Sequence, residues 1–330
     1  MDQRVAVAIP AYNASATLPE TLESILGQTL PAAEIVVVDD GSTDDLDECI
    51  RVFEPKGVRF VRTPNRGVNA ARNTGAENTQ SPWLSFTDSD DVWLPRKLER
   101  QMELLRQAPD CQECICDFRR FSSAGVEEKS HFDSAPPGFW DVGRRDFGAA
   151  GFVIDRNLFV DFLTFQPVQP SAMLISREQF KKVGVWNEEI SRNRSQDIEF
   201  HLLCANQPPL AVVPEVLVHY RRHSGNMTSD DLVANFHGAE VLEYMLPRYE
   251  VARQHEARLR QEIDQRKISC ADWAFHLGRL DLFHEYLGKV PLRSRPARLI
   301  ARDLLSRALP EHAVETLRRR FRAVRYKRPS

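Results

Sequence analysis

The sequence predicts an α/β protein built on a doubly wound, mostly parallel sheet, with a helical C-terminal extension. Three observations point there. Short β-branched runs such as "RVAVAIP" and "EIVVVDD" end in polar residues, as buried parallel strands do. Segments of helical periodicity fill the gaps between those runs. Beyond Gly225 the strand signals stop and only helical segments remain.

After the first strand, "SATLPETLESILGQT" places Leu18, Leu22, Ile25 and Leu26 on one helical face. "EIVVVDD" is the second strand. "STDDLDECIRVF" is a helix with Ser42 or Thr43 as its cap and acids in its first turn, where they complement the helix dipole. "GVRFVRT" is the third strand, "VNAARNTGAENT" a helix and "PWLSFTD" the fourth strand. Strand and helix alternating at this spacing argue for a doubly wound sheet. From Glu113 to Arg221 the pattern is mixed. "ECICDFRRF", "PSAMLIS" and "EVLVHYRRH" read as strands, and "SREQFKKVG" and "QDIEFHLLCANQ" as helices. "SHFDSAPPGFWDVGRRDFGAAG" is rich in Gly, Pro and aromatics, which predicts a long functional loop. Three or four amphipathic helical segments complete the chain, and no internal repeat is visible.

With 330 residues, 42% of them apolar, the chain can bury the cores of two domains. "MDQRVAVAIPAYN" lacks the basic and long apolar regions of a signal peptide, and no uncharged apolar run approaches the ~20 residues of a membrane span. The expectation is a cytoplasmic protein, or one lying on the inner face of the cell membrane without crossing it. Six scattered cysteines then predict reduced thiols. "CQECIC" invites a metal reading. However, Cys114 and Cys116 alternate along a strand and no second Cys or His pair follows at zinc spacing, so they read as small apolar strand residues. Charge is unevenly spread: residues 291–330 carry twelve Lys/Arg against three Asp/Glu, while the other 290 residues carry 32 against 44. A basic tail on an acidic body predicts contact with an anionic surface.

Several chemistries are excluded by their missing motifs. There is no G-x-G pair, no G-x-x-x-x-G-K-[ST] loop, no H-E-x-x-H and no G-x-S-x-G. Neither "DDGSTDD" nor "DSDD" carries a glycine at the sixth place that a calcium hand requires. What remains is a set of carboxylates, Asp39, Asp40, Asp88, Asp90 and Asp91, placed at strand ends where such sheets bind ligands. Three acids within "DSDD" repel one another unless a cation sits among them. Hard oxygen ligands of this kind suit Mg²⁺ or Mn²⁺, with phosphates completing the shell.

The stretches "VAIPAYNASATLPETLESILGQTLPAAEIVVVDDGSTDD", "NRGVNAARNTGA" and "WLSFTDSDDVWLP" resemble the family 2 glycosyltransferases, whose fold is the Rossmann-like GT-A type. The resemblance is specific over about the first 100 residues. It continues more weakly through "PSAMLISREQFKKVGVWNEE", "SQDIEF" and "YRRHSGNMTSD" to about residue 230. It implies a catalytic domain over residues 1–228, with a nucleotide-sugar half (1–112) and an acceptor half (113–228), and leaves 229–330 as a helical, basic extension. It further implies that Asp40 accepts a hydrogen bond from a nucleotide base, walled by Pro10, Ala11 and Tyr12. Arg72 would face the base or pyrophosphate, and Asp90, with Asp88 beside it, would hold Mg²⁺ or Mn²⁺ against the diphosphate. Asp197 stands where the family carries its catalytic base, although Gln196 replaces the usual preceding glutamate. His223 matches a position that touches the metal or the diphosphate, and Trp93 and Trp186 match cleft aromatics.

The function so implied is transfer, with inversion, from a nucleotide-diphosphate sugar to a hydroxyl of a glycan or lipid-linked acceptor, in bacterial surface polysaccharide or glycoconjugate synthesis. A uridine donor is the commonest in the family. A catalytically inactive sugar-binding relative is one alternative, which the presence of Asp40, Asp90 and Asp197 opposes. A sugar nucleotidyltransferase is another, and it lacks here its Gly-rich loop and lysine. The tail "PLRSRPARLIARDLLSRALPEHAVETLRRRFRAVRYKRPS" sets Leu299, Ile300, Leu304 and Leu305 among arginines and ends near Phe321 and Tyr326. It reads either as a helix for an anionic membrane surface or as one that packs its leucines on the catalytic domain. Nucleic acid is not an expected partner, since the acidic body repels phosphates.

Overall fold

Every residue of Val5–Ala11 (β1) is buried, which is why the run shows no polar alternation: both faces of the sheet are covered. The structure, a computed structural model, describes residues 2–222 and 230–322. β1 pairs in parallel with Glu34–Asp39 (β2) and with Trp83–Phe86 (β4), and β2 with Val58–Arg62 (β3). The crossovers are Leu18–Leu26 (α1), Leu46–Arg51 (α2) and Val68–Glu77 (α3). In the order β3-β2-β1-β4 the winding reverses beside β1, so a crevice opens at the carboxyl ends of β1 and β4.

The sheet then continues with Val92–Trp93 (β5), Glu113–Ser122 (β6), Gly125–Val126 (β7), Arg144–Asp146 (β8), Phe152–Ile154 (β9), Met173–Ser176 (β10) and Leu210–Arg221 (β11). Its main path is β3-β2-β1-β4-β10-β6-β11-β9-β8. β10 and β9 run antiparallel to their neighbours and β11 runs parallel to β6, giving the mixed, mostly parallel sheet expected. Helices Lys97–Gln107 (α4), Phe159–Thr164 (α5), Arg177–Val183 (α6) and Asp197–Ala205 (α7) complete this part.

Some expectations are corrected. α2 begins at Leu46, not after Ser42 or Thr43, because those residues are committed elsewhere. The Ser42 amide donates to Asp39 Oδ1 at 2.7 Å, its hydroxyl accepts from the Asn13 amide, and the Thr43 amide donates to Asn13 Oδ1. In "PSAMLIS", residues Pro170–Ala172 form a 3₁₀ turn and only Met173–Ser176 is strand. The loop from Ser130 to Gly151 contains β8 and is anchored by aromatics: the His131 ring lies between Phe118 at 4.4 Å and Phe165 at 4.9 Å.

By contact the chain divides into two compact units, Met1–Ser224 and Gly225–Ser330. The expected boundary at 228/229 falls within residues 223–229, outside the described ones. Among the described residues the second unit has six α-helices rather than three or four: Asp231–Met245 (α8), Glu250–Gln254 (α9), Glu256–Leu277 (α10), Leu280–Gly288 (α11), Ala297–Ala308 (α12) and Glu311–Arg322 (α13). Its core gathers Leu232, Phe236, Phe275, Phe283, Leu287 and Leu299, with Phe236 stacked on Tyr286 at 3.8 Å.

The sheet core of the first unit holds two ionisable groups out of water. Lys97 donates to Ser85 Oγ at 3.1 Å and lies 3.8 Å above the Trp93 ring, and burial lowers its pKa to about 8. Trp93 is therefore a core residue beneath a buried ammonium and not a cleft wall. Glu113, at the start of β6, has its pKa pushed up to about 8 by burial, with Cys204 partly opposing the shift. The folded chain thus keeps this proton to about pH 8, whereas an unfolded glutamate loses it near ~4.3. Between those values the folded state binds more protons, so stability falls as pH rises, by at most about 1.4 kcal/mol per unit. Urea unfolding of wild type and Glu113→Gln from pH 5 to 8 should show a shallower loss in the variant. Equal slopes would mean that Glu113 is charged in the fold.

Candidate active site

The crevice is organised from below by α3. Its small residues let it lie almost on the sheet: a Cβ at Gly75 would sit 2.7 Å from Ala8 Cβ of β1. At its entry Gly67 adopts φ +95°, and a side chain there would strike Ser191. A neighbouring face of the helix carries Asn69, Arg72 and Asn73, at the i, i+3 and i+4 spacing that makes helical neighbours. The Asn73 amide group donates to the Trp186 carbonyl at 2.8 Å and accepts from the Trp186 amide at 3.0 Å. Asn69 donates to the Asn187 carbonyl at 2.8 Å, and its backbone amide donates to Ser191 Oγ at 2.9 Å. Segment 186–191 of the second half is thereby fixed to the first half.

Arg72, expected to face the ligand, is 1% exposed. Its Nη2 donates to Asp88 Oδ1 at 2.7 Å, Nη1 to Asn69 Oδ1 at 3.3 Å, and its guanidinium lies 4.7 Å from the Trp186 ring centroid. Trp186 is fully buried and stacks on Phe200 at 4.1 Å, so it supports Arg72 instead of lining a cleft. The expected base, Asp197, opens α7, and burial pushes its pKa up. The Arg72 cation opposes that rise and the Asp88 anion adds to it, so all three charges share one neighbourhood. Behind Asp197 lies His201, with Nδ1 4.0 Å from Asp197 Oδ2. Burial and the Arg72 cation lower its pKa to about 3, which keeps the ring neutral.

The three adjacent acids of "DSDD" have separate environments. Asp88 points to Arg72. Asp91 is buried, and desolvation together with Asp90 and Asp88 raises its pKa well above the usual range. It accepts from the Ser171 hydroxyl and from the Arg221 amide at 3.0 Å, as an internal brace. Asp90 is half-exposed at the crevice, and its carbonyl accepts from Arg221 Nε at 2.7 Å. Arg221 also reaches Glu20 and covers the Phe121 ring at 4.4 Å. Ser171 and Arg221 were not picked out in the sequence; the basic "YRRH" stretch was the only signal for the latter.

On the β1 side, Pro10 and Ala11 are buried in the strand and pair with Val38 and Asp39, so of the expected wall only Tyr12 presents its ring to solvent. Asp40 is buried, and its carboxylate accepts from the Arg66 and Gly67 amides at 2.8 and 2.7 Å. Each oxygen retains a second lone pair for a further donor. His223 lies outside the described residues.

A doubly wound half with acids at its switch point, extended by a mixed second half, is the architecture of a GT-A fold. Comparison with known proteins agrees. The model of the family described as glycosyl transferase family 2 matches residues 6–182, and the chain belongs to that family. An uncharacterized glycosyltransferase of Rickettsia prowazekii (strain Madrid E) is 26% identical over 229 residues, covering 69% of this chain and 67% of that protein. The putative teichuronic acid biosynthesis glycosyltransferase TuaG of Bacillus subtilis is 34% identical over 121 residues, 36% of this chain and 46% of that one. The match to an uncharacterized glycosyltransferase of Rickettsia felis, 38% identical, spans 32% of this chain and only 18% of the relative. Among solved structures, S. aureus TarS 1–349 in complex with UDP-GlcNAc superposes with a TM-score of 0.60 at 17% identity, over 98% of this chain and 93% of that one.

Asn73→Ala should destabilise the first unit by about 2 kcal/mol or more, because it strands the buried amide and carbonyl of Trp186. Urea unfolding measures this directly, and a change below 0.5 kcal/mol would show that segment 186–191 is held by other contacts.

Proposed function

We propose that this chain transfers a sugar from a nucleotide-diphosphate donor, a UDP-sugar first, to a hydroxyl of a glycan or lipid-linked acceptor. We place the reaction, with inversion at the anomeric carbon, in bacterial surface polysaccharide or glycoconjugate synthesis. The observation that carries the reading is the crevice itself, where Asp88 and Asp197 converge on buried Arg72 while half-exposed Asp90 stands at the rim. Membership of the family supports sugar transfer, and the UDP and UDP-GlcNAc complexes of TarS, a protein of the same fold, support the donor class. The name of TuaG supports the surface-polymer setting.

The donor set fits Mg²⁺ or Mn²⁺. Such ions take one or two protein carboxylates and complete their shell with phosphate oxygens. Asp90 and Asp88 offer that many, and no cluster of three or more Asp, Glu, His or Cys ligands occurs among the described residues. When bound, the ion would offset the charge gathering on the departing diphosphate. Asp40 and Tyr12 hold the base and ribose side of the nucleotide, with Pro10 and Ala11 as the backbone beneath them. Arg72 acts through Asp88 and Asp197, orienting the first and holding the second near the acceptor. Asp197 takes the proton of the acceptor hydroxyl as the new bond forms. A carboxylate with a raised pKa is a better base at neutral pH than an ordinary aspartate, while the Arg72 cation keeps the shift within bounds. A single base without a partnering nucleophile suits one in-line displacement.

Asp90→Ala is the informative metal variant, because Asp88 pairs a buried arginine. Removing Asp88 would leave that charge uncompensated, at a cost on the order of 3–5 kcal/mol. Calorimetric titration of UDP in the presence of Mn²⁺ should show tight binding for wild type and no Mn²⁺ dependence for Asp90→Ala, with the unfolding midpoint unchanged. Retained Mn²⁺ dependence would move the ion elsewhere.

Asp197→Asn should bind UDP-GlcNAc as wild type does and lose turnover, followed as UDP release, by roughly 10²–10⁴-fold. Near-wild-type turnover would reassign the base.

A further inference from the structure

Helix α12 lies in the helical unit with its polar side inward. Leu299, Arg302, Asp303 and Ser306, three and four residues apart, form its docked face. Of these only Leu299 enters the apolar core. Arg302 pairs with Asp272 of α10 and covers the Phe275 ring at 5.0 Å. Asp303 accepts from His284 Nδ1 of α11 at 2.6 Å and from Arg307 Nε at 2.9 Å. The opposite side carries the leucines. Ile300 is 38% exposed, Leu304 63%, Leu305 44% and Leu309 36%, in two rows of i, i+4 spacing. Ala297, Ala301 and Ala308 are exposed with them. A helix normally hides this stripe and wets the other. Here ion pairs do the docking and the apolar stripe is presented outward.

Charge says what the stripe meets. Arg298 and Arg307 flank it and are 60% and 58% exposed, and Arg293 precedes it on the surface. The last forty residues carry twelve Lys/Arg against three Asp/Glu, while the rest of the chain is acidic. A second copy of the chain would bring arginine against arginine. A surface of anionic headgroups over hydrocarbon meets both halves of the pattern: leucines enter the acyl boundary and guanidinium groups stay among the phosphates. Among the described residues no helix is long and apolar enough to cross a membrane, so the contact is one of lying on the surface. The side chain of Phe321, and Tyr326 altogether, lie outside the described atoms.

We infer that the outward face of α12, Ile300, Leu304, Leu305 and Leu309 flanked by Arg293, Arg298 and Arg307, is a docking surface for an anionic lipid bilayer. The inference stands apart from the transfer reaction. It is tested on the full chain by co-sedimentation with vesicles of phosphatidylcholine and phosphatidylglycerol, and with phosphatidylcholine alone. Wild type should bind the mixed vesicles at 50 mM salt, bind the neutral ones at least about tenfold more weakly, and release at 500 mM. Leu304→Glu/Leu305→Glu and Arg293→Gln/Arg298→Gln should each weaken binding by roughly tenfold or more, with the circular dichroism spectrum unchanged. Absence of wild-type binding to mixed vesicles would overturn the inference, as would equal binding by both variants. So would a wild-type dimer, seen by sedimentation velocity, that Leu304→Glu/Leu305→Glu converts to monomer, which would give the face to a second copy.

Discussion

One guanidinium, that of Arg72, is the interaction on which the crevice depends. It is removed from water, and its charge is compensated by Asp88 at 2.7 Å and by the Trp186 face at 4.7 Å. Neither partner is local in sequence. Asp88 comes from the end of β4 and Trp186 from the segment before α7, so a single buried cation ties both halves of the sheet unit to α3. Its field reaches Asp197 and His201 as well, restraining the rise of one and deepening the fall of the other. Fold and site are not separable here. The group that restrains the burial-driven rise of the candidate base also holds the walls together.

The acidic run after β4 shows how position alone divides identical side chains. Desolvation turns Asp91 into a brace that favours its neutral form, accepting from Ser171 and the Arg221 amide. Pairing turns Asp88 into the counter-ion of Arg72. Asp90 stands at the rim on a loop whose backbone Arg221 holds. Repulsion among the three is relieved before any ligand arrives, because one acid is favoured neutral and one is paired.

The alternation of strand and helix was legible because buried parallel strands announce themselves as unbroken β-branched runs. The carboxylates at strand ends were legible for the same reason. What escaped is tertiary. Ser42 has the chemistry of a cap, but nothing local says that Asn13, 29 residues earlier, claims its hydroxyl. Arg72 carries a charge that composition assigns to the surface, and only Asp88 and Trp186 make its burial tolerable. Trp93 and Trp186 are aromatic in any reading, and whether they line a cleft or the core depends on partners such as Lys97 and Arg72. In the tail, periodicity located the helix, but Asp272 and His284 decide that its polar side turns inward.

Gly75 has one further consequence. With Ala8 Cβ 2.7 Å from where its own Cβ would stand, α3 lies so close to β1 that not even a methyl group fits between them. The placement of Asn69, Arg72 and Asn73 therefore rests on a close approach between two of the smallest residues. Variation in what the crevice accepts is left to its rim: the exposed ring of Tyr12, and the surface loops that carry no such constraint. At position 75 the floor has room for nothing larger than a hydrogen atom, whereas side chains at the rim can change without touching it.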